Sequence, residues 1–418
     1  MIRLPGYLAT EHRVIVPLDH DVPDGPTIEV FARELVDPDK KDADLPYLLF
    51  LQGGPGGKSP RPLDRSGWID VALRTHRVLL LDQRGTGRST PITPSITQGR
   101  TAQEVADYLS HFRADAIVAD AEILRATLSG ERKWDTLGQS YGGFVTLTYL
   151  SIAPQGLAHC YVTGGLPGIT ASAADVYART FTRAAARTRE FYARYPEDEA
   201  AITALVDHVS EHEVRLPDGD LLTPHRVRTL GASFGMSYGF ETLHWLLDDA
   251  WAGTQLHPRF LSEVQVTTGF IDNVLYPLQE YSYATADAPS AWAAQREYDR
   301  RPDFAADARP VLMTAEMMFP WMFREIRALR PFAEAADLLA SRTDWPPLYD
   351  ARRLADNAVP LAAAVYYDDL YVDAPLQLQT VQQTGNARAW VTNEYEHDGL
   401  RSSPTVLEHL FAMGSERC

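Results

Sequence analysis

Gly138-Gln139-Ser140-Tyr141-Gly142 has the form G-x-S-x-G. A serine hydroxyl is a weak nucleophile at neutral pH; it becomes a useful one on a sharp strand-to-helix turn, where its oxygen stands clear of the backbone and a base can take its proton. The pattern occurs twice more, around Ser233 and around Ser237, so it does not choose a nucleophile by itself. A second stretch, Gln52-Gly53-Gly54-Pro55-Gly56-Gly57, offers backbone N–H groups that can approach a developing oxyanion closely. It is not a full P-loop, because Gln52 stands where that motif needs its first glycine before Gly57-Lys58-Ser59. His208-Val209-Ser210-Glu211-His212 matches H-x-x-E-H, with two imidazoles four apart on a helix, and supplies a rival zinc chemistry. It lacks an evident third ligand, and Asp207 and Glu213 make it read equally as a solvated helix face.

The elements around each motif separate these readings. Arg13 to Pro17 and Thr27 to Leu35 alternate as antiparallel strands do, whereas Pro46 to Leu51 and Arg77 to Leu81 are almost wholly apolar, as strands covered on both faces must be. Thr101 to Leu128 repeats apolar residues at helical spacing; Trp134 to Gln139 then reads as a strand and Tyr141 to Ile152 as a helix. This alternation predicts a mostly parallel sheet. Ser140 has a strand before it and a helix after it, as the turn requires. Ser233 and Ser237 follow Thr223-Pro224, a helix-start signature, and have no convincing strand before them.

From Leu166 to about Tyr349 the rhythm turns helical, with Asp175 to Tyr195, Phe240 to Trp251 and Trp321 to Leu339 as expected helices. The strand and helix alternation returns with Leu361 to Tyr367, Ala374 to Gln383, Ala387 to Thr392 and Pro404 to Met413. The expected architecture is an α/β-hydrolase core (residues 1–165 and 356–418) interrupted by a large helical cap (166–355). Such a core orders its triad along the chain as Ser, then Asp or Glu, then His. Of twelve histidines, His397 and His409 lie in the resumed α/β region, and His409 sits inside a helical run, which leaves His397 as the base for Ser140. Its orienting carboxylate comes from Asp368, Asp369 or Asp373, just beyond a strand; Asp369 is first choice and Asp368 second. The amide of Tyr141 with that of Gly53 or Gly54 completes an oxyanion hole.

Composition narrows the function classes. With 39 Lys+Arg against 56 Asp+Glu the net charge is −17, which argues against nucleic acid or an anionic membrane as partner. No run is apolar enough for a membrane span or a secretory leader. The two cysteines, Cys160 and Cys418, cannot build a disulfide framework or a four-cysteine zinc site, so a reducing, cytoplasmic location is expected. The oligomeric state is not legible, and neither a metal nor a cofactor is expected.

Taken together, Gly53-Gly54-Pro55-Gly56-Gly57, Asp82-Gln83-Arg84-Gly85-Thr86-Gly87-Arg88-Ser89-Thr90, Gly138-Gln139-Ser140-Tyr141-Gly142-Gly143 and Glu396-His397-Asp398-Gly399 resemble the prolyl aminopeptidases, or proline iminopeptidases, of the α/β-hydrolase superfamily. The helical insertion and Tyr366-Tyr367-Asp368-Asp369-Leu370-Tyr371-Val372 resemble the longer form of that family. The resemblance implies a serine aminopeptidase acting on peptides with a free N-terminal proline, with Ser140 as nucleophile, Asp369 as orienting acid and His397 as base. It also implies that glutamates of the cap bind the substrate amine, the matching positions being Glu241, Glu280 and, third, Glu316. Gln52 replaces the histidine common before Gly-Gly-Pro-Gly, and Gln279 stands where related long forms often carry histidine; both departures bear on substrate range. The alternatives on the same triad are an esterase or another aminopeptidase; a zinc peptidase and a non-catalytic binding protein are the more distant ones.

Overall fold

The computed structural model describes residues 1–283 and 288–415. Cys418 lies outside the described residues. The chain parts into two compact units, one made of Met1–Thr93, Asp107–Thr170 and Pro346–Cys418, the other of Pro94–Ala106 and Ala171–Trp345.

The first unit carries β1 (Ile2–Leu4), β2 (Tyr7–Pro17), β3 (Thr27–Val36), β4 (Tyr47–Leu51), β5 (Arg77–Asp82), β6 (Trp134–Gln139) and β7 (Leu157–Thr163). The second unit contributes a small hairpin, β8 (Trp251–Ala252) and β9 (Gln255–Leu256), before the first resumes with β10 (Leu361–Tyr366) and β11 (Ala387–Thr392). All but the hairpin form one nine-stranded sheet in the order β1-β2-β3-β5-β4-β6-β7-β10-β11. The β1–β2, β2–β3 and β3–β5 pairs are antiparallel, and every pair from β5 to β11 is parallel. The mostly parallel sheet expected from the sequence is therefore present.

Its central strands are apolar on both faces because helices cover both. The helix Tyr141–Ile152 is buried from Tyr141 through Ser151, a helix apolar all round and so an interior one. Phe50 stacks on Trp68, with ring centroids 4.7 Å apart, in a core cluster that includes Leu48, Leu80, Leu137 and Ala364. A buried ion pair ties the sheet to its surroundings: Arg84 meets both carboxylate oxygens of Asp120 at 2.7 and 2.6 Å and also donates to the carbonyls of Leu18 and His111. His20 closes the group with Nε2 2.9 Å from Asp120. Removing the carboxylate strands a buried guanidinium, so Asp120→Ala is expected to destabilise the fold by about 3–5 kcal/mol, read as a lowered urea midpoint at unchanged slope.

In the second unit the helix Ala173–Arg194 opens with a capping box in which Ser172 and Asp175 satisfy each other's backbone N–H groups. Phe191, Phe234 and Phe240 pack together, with centroids 5.0 to 5.4 Å apart.

Three elements depart from the sequence expectation. Thr101 to Leu128 forms two helices, Ala102–Ser110 and Ala114–Ser129, parted where Arg113 is extended. Trp321 to Leu339 is broken into a short helix Met322–Glu325, a 3-10 turn Arg330–Phe332 and a helix Ala333–Ser341. The chain leaves helical geometry at Ile326, which is extended at φ −93°, ψ 117°, although the apolar spacing runs on past it. Strand β7 is not anticipated at all: Ala158 and His159 interrupt its apolar run, and its neighbours β6 and β10 supply the pairing that makes it a strand.

Candidate active site

Parallel strands bring their carboxyl ends to one edge of the sheet, where sites form in open α/β folds. Gln52 follows β4, Gln83 follows β5, Ser140 follows β6 and Gly164 follows β7; Asp369 lies three residues beyond β10 and His397 five beyond β11.

Ser140 is held at φ 55°, ψ −124° between strand and helix, a conformation that non-glycine residues avoid and that the surrounding structure must enforce. Its N–H donates to the Thr163 carbonyl at 3.0 Å, and its own carbonyl accepts from Gly143 at 2.7 Å. The turn depends on absent side chains. A Cβ on Gly142 would lie 1.9 Å from the Leu51 carbonyl oxygen, so any side chain at the second glycine of the motif would collide with β4. Gly53 is as constrained from the other side, since a Cβ there would be 2.9 Å from the Ser140 Cβ and 2.7 Å from Gln139 Oε1. The glycine-rich loop thus lies directly against the serine, and Tyr141 occupies the first helical position, where backbone N–H groups point out of the helix end.

Asp369 is fully buried, and both of its oxygens are used. Oδ1 accepts the N–H groups of Tyr371 and Val372 at 2.9 and 3.0 Å, while Oδ2 lies 2.8 Å from His397 Nδ1. Tyr371 packs edge-on against the imidazole, at 4.8 Å and 87°. The dipeptide after β7 links this pair to the serine. A Cβ on Gly164 would lie 3.1 Å from Asp369 Oδ2 and from His397 Nδ1, and one on Gly165 would lie 2.3 Å from the Ser140 carbonyl oxygen. Ser140 and the Asp369–His397 pair therefore abut one Gly-Gly turn, which does not stand out in the sequence. Of the other aspartates weighed, Asp368 is exposed and Asp373 caps the helix Ala374–Gln383 by accepting from the Leu376 N–H at 3.1 Å.

The remaining serines and histidines are placed elsewhere. Ser233 lies in the 3-10 helix Thr229–Gly235 with its hydroxyl on the Leu230 carbonyl, and Ser237 lies in the turn before the helix Gly239–Asp248. His409 stacks on Trp390 at 4.2 Å. His208 and His212 stack on one another at 4.6 Å, and among the described residues no group of three or more His, Cys, Asp or Glu is arranged to hold a metal ion. No described helix is long and apolar enough to cross a membrane.

The three glutamates belong to the second unit. Glu241 is partly exposed and pairs with Arg194 at 2.5 Å. Glu280 is 4% exposed and accepts the N–H groups of Ala293 and Ala294, each at 3.1 Å. Burial pushes its carboxyl up to about 7, against the opposing pull of those N–H groups and the Ser290 hydroxyl. Glu316 is half-buried. The buried Tyr177 hydroxyl is pushed well up by desolvation, with Glu280 and Glu316 both near enough to add to the rise, so these two carboxylates share one neighbourhood.

Two further residues escaped the sequence reading as individuals. Asp82 and Gln83 belong to a stretch that stands out only for its resemblance, yet the Gln83 side chain donates to the Gln52 carbonyl at one end of the glycine-rich loop and Asp82 accepts from the Ser59 N–H at the other.

Comparison with known proteins gives the fold and the family. Residues 46–207 match the family model of the alpha/beta hydrolase fold. A proline iminopeptidase from Aeromonas sobria is 46% identical over 99% of this chain and 98% of its own. Another, from Aspergillus aculeatus, is 33% identical over 99% of this chain and 95% of its own. The crystal structure of a proline iminopeptidase from Mycobacterium smegmatis is 15% identical, covering 96% of this chain and 98% of that one at a TM-score of 0.44, a likeness too slight to weigh. Full-length identity at this level, on a nine-stranded sheet with a serine elbow at its carboxyl edge, means that the chain belongs to the proline iminopeptidase family of α/β-hydrolases.

Proposed function

We propose that the protein is a serine aminopeptidase that releases proline from the free N-terminus of peptides through an acyl-enzyme on Ser140. His397 takes the Ser140 proton as the hydroxyl attacks the prolyl carbonyl, and Asp369 keeps the imidazole in the tautomer that leaves Nε2 free to accept. The amide of Tyr141 with that of Gly53 or Gly54 receives the oxyanion; His397 then protonates the departing amine, and water releases proline from the ester. No step calls for a cofactor. The observation that carries this reading is the 2.8 Å contact of His397 Nδ1 with Asp369 Oδ2 beside the Gly-Gly turn that abuts Ser140. A cytoplasmic location suits the buried free thiol of Cys160.

For the substrate amine we assign the carboxylates of the second unit. A secondary ammonium is a cation, and a desolvated carboxylate at a fixed place favours it over a blocked terminus. Glu280 and Glu316 fit this role through their shared neighbourhood at Tyr177, whereas Glu241 must first release Arg194.

The test is a comparison of free-proline, free-alanine, N-blocked proline and simple ester chromogenic substrates with the wild type. Strong preference for the unblocked prolyl amide is expected; equal rates on blocked and free proline would remove amine recognition, and turnover of the ester alone would make the protein an esterase. A pH prediction follows from Glu280. Its carboxyl titrates near 7, so the anion that binds the amine grows in as pH rises through that value. KM for the unblocked substrate is expected to fall by about tenfold between pH 6 and pH 8, and to lose that dependence in Glu280→Gln. A KM profile that is flat in the wild type would discard Glu280 from the amine site.

A further inference from the structure

We propose that Gln83 is a positioning residue for the oxyanion loop, acting through the Gln52–Gly53 peptide. The inference rests on the reading of that loop given above.

Gln83 is the first residue after β5 and is 1% exposed. Its Nε2 donates to the Gln52 carbonyl at 2.9 Å; since a carbonyl oxygen can only accept, the amide orientation is fixed by the contact itself. The Gln52–Gly53 peptide is planar and trans, so its C=O and N–H point in opposite directions. Holding the carbonyl therefore sets the direction of the Gly53 N–H and the Cα from which Gly54 starts. On its other side the same loop has no room to shift, because Gly53 lies against Ser140 and Gln139. A donor on the carbonyl also polarises the peptide and strengthens its N–H as a donor.

The far end of the loop is fixed from the same strand end. Asp82 Oδ1 accepts the Ser59 N–H at 3.1 Å and Arg61 Nη1 at 2.9 Å, Oδ2 accepts the Arg88 N–H at 2.9 Å, and the Ser59 hydroxyl donates to the Leu81 carbonyl at 2.6 Å. Gln83 itself sits in a turn closed by Thr86, whose hydroxyl and N–H both donate to the Gln83 carbonyl, at 2.7 and 3.0 Å. Asp82 thus anchors where the loop ends, and Gln83 anchors the peptide from which its oxyanion donors begin.

The oxygen of this amide points to function rather than stability. Gln83 Oε1 is buried and meets no donor among the described residues. A methionine of similar length would bury no such acceptor and would serve the fold about as well, since its removal offsets the loss at the Gln52 carbonyl. The amide is explained by what it does to the loop.

The experiment is Gln83→Met, with Gln83→Leu as a second variant and Ser140→Ala in parallel, on the full chain. Readouts are kcat and KM on a prolyl chromogenic amide, inhibition by prolinal, whose aldehyde adds to the serine and places an oxyanion in the hole, inhibition by free proline, and Tm. Expected for both variants is a kcat lower by about 10- to 100-fold, short of the loss from deleting a donor outright, with KM within about twofold. Prolinal binding weakens in step with kcat, while proline binding and Tm hold. A kcat within about threefold of wild type in a folded variant overturns the proposal, as does a kcat loss that appears only together with a lowered Tm or an equal weakening of prolinal and proline. If Ser140→Ala stays active, the acyl-enzyme reading fails and takes this proposal with it; if Ser140→Ala is inactive and Gln83→Met is not impaired, this proposal alone fails.

Discussion

Ser140→Ala is expected to lower kcat on an unblocked prolyl amide by about a million-fold while leaving the fold intact. Alanine keeps the Cβ that fits between Gly53 and the helix start, so the strained turn loses an oxygen and nothing else. What remains is the backbone oxyanion hole and substrate binding, together worth about 10³–10⁴ over water. A steady-state assay with active-site titration by a serine-directed fluorophosphonate checks this, alongside a far-ultraviolet dichroism spectrum to show the fold is retained. Residual kcat within about a hundredfold of wild type in well-folded protein would mean that another group carries the acyl intermediate. Ser233, with its hydroxyl on the Leu230 carbonyl, would then be the first to substitute.

Asp369→Asn is the second large effect, expected at about 10⁴ in kcat with little change in KM. The geometry isolates the cause. Oδ1 accepts two backbone N–H groups, from Tyr371 and Val372, and an asparagine carbonyl oxygen can go on accepting both, so the loop after β10 keeps its shape. The amide nitrogen then faces His397 Nδ1 in place of Oδ2. A donor there forces Nδ1 to accept and moves the imidazole proton to Nε2, the atom that must be free to take the serine proton. The loss of a buried carboxylate also removes the countercharge to the imidazolium formed during attack. Kinetics at saturating substrate across pH 6 to 9 provide the check. A variant that keeps more than about a tenth of wild-type kcat would strip Asp369 of its role. Asp368, exposed to solvent, could not easily inherit it.

The contrast between these two positions and the glutamates marks how far the sequence could be read. The strands β4, β5, β6, β10 and β11 and the helices at Tyr141 and Ala374 were visible because hydrophobic period and chain punctuation are local properties. The apolar spacing from Trp321 runs on to Leu339 although the backbone leaves the helix at Ile326, so spacing alone does not say where a helix ends. Strand β7 was missed for the opposite reason: its identity lies in the neighbours that pair with it, not in its own pattern. Among the glutamates, the family resemblance gives Glu241 and Glu280 the same standing. Folding ties the first to Arg194 and buries the second until its carboxyl rises to about 7.

By itself, then, the sequence determined the sheet-based architecture, the strand-to-helix turn at Ser140, the order in which Ser140, Asp369 and His397 follow one another along the chain, and a net negative charge. Those features rest on backbone preference, side-chain polarity and chain order, which a linear text contains. Only the tertiary structure decided which of three nearby aspartates meets the imidazole, that Gly164-Gly165 sets Ser140 beside Asp369 and His397, and that Gln83 holds the Gln52 carbonyl. Each of these is a contact between residues tens to hundreds of positions apart, and its energy depends on burial and distance, quantities that exist only once the parallel strands have brought their ends to one edge.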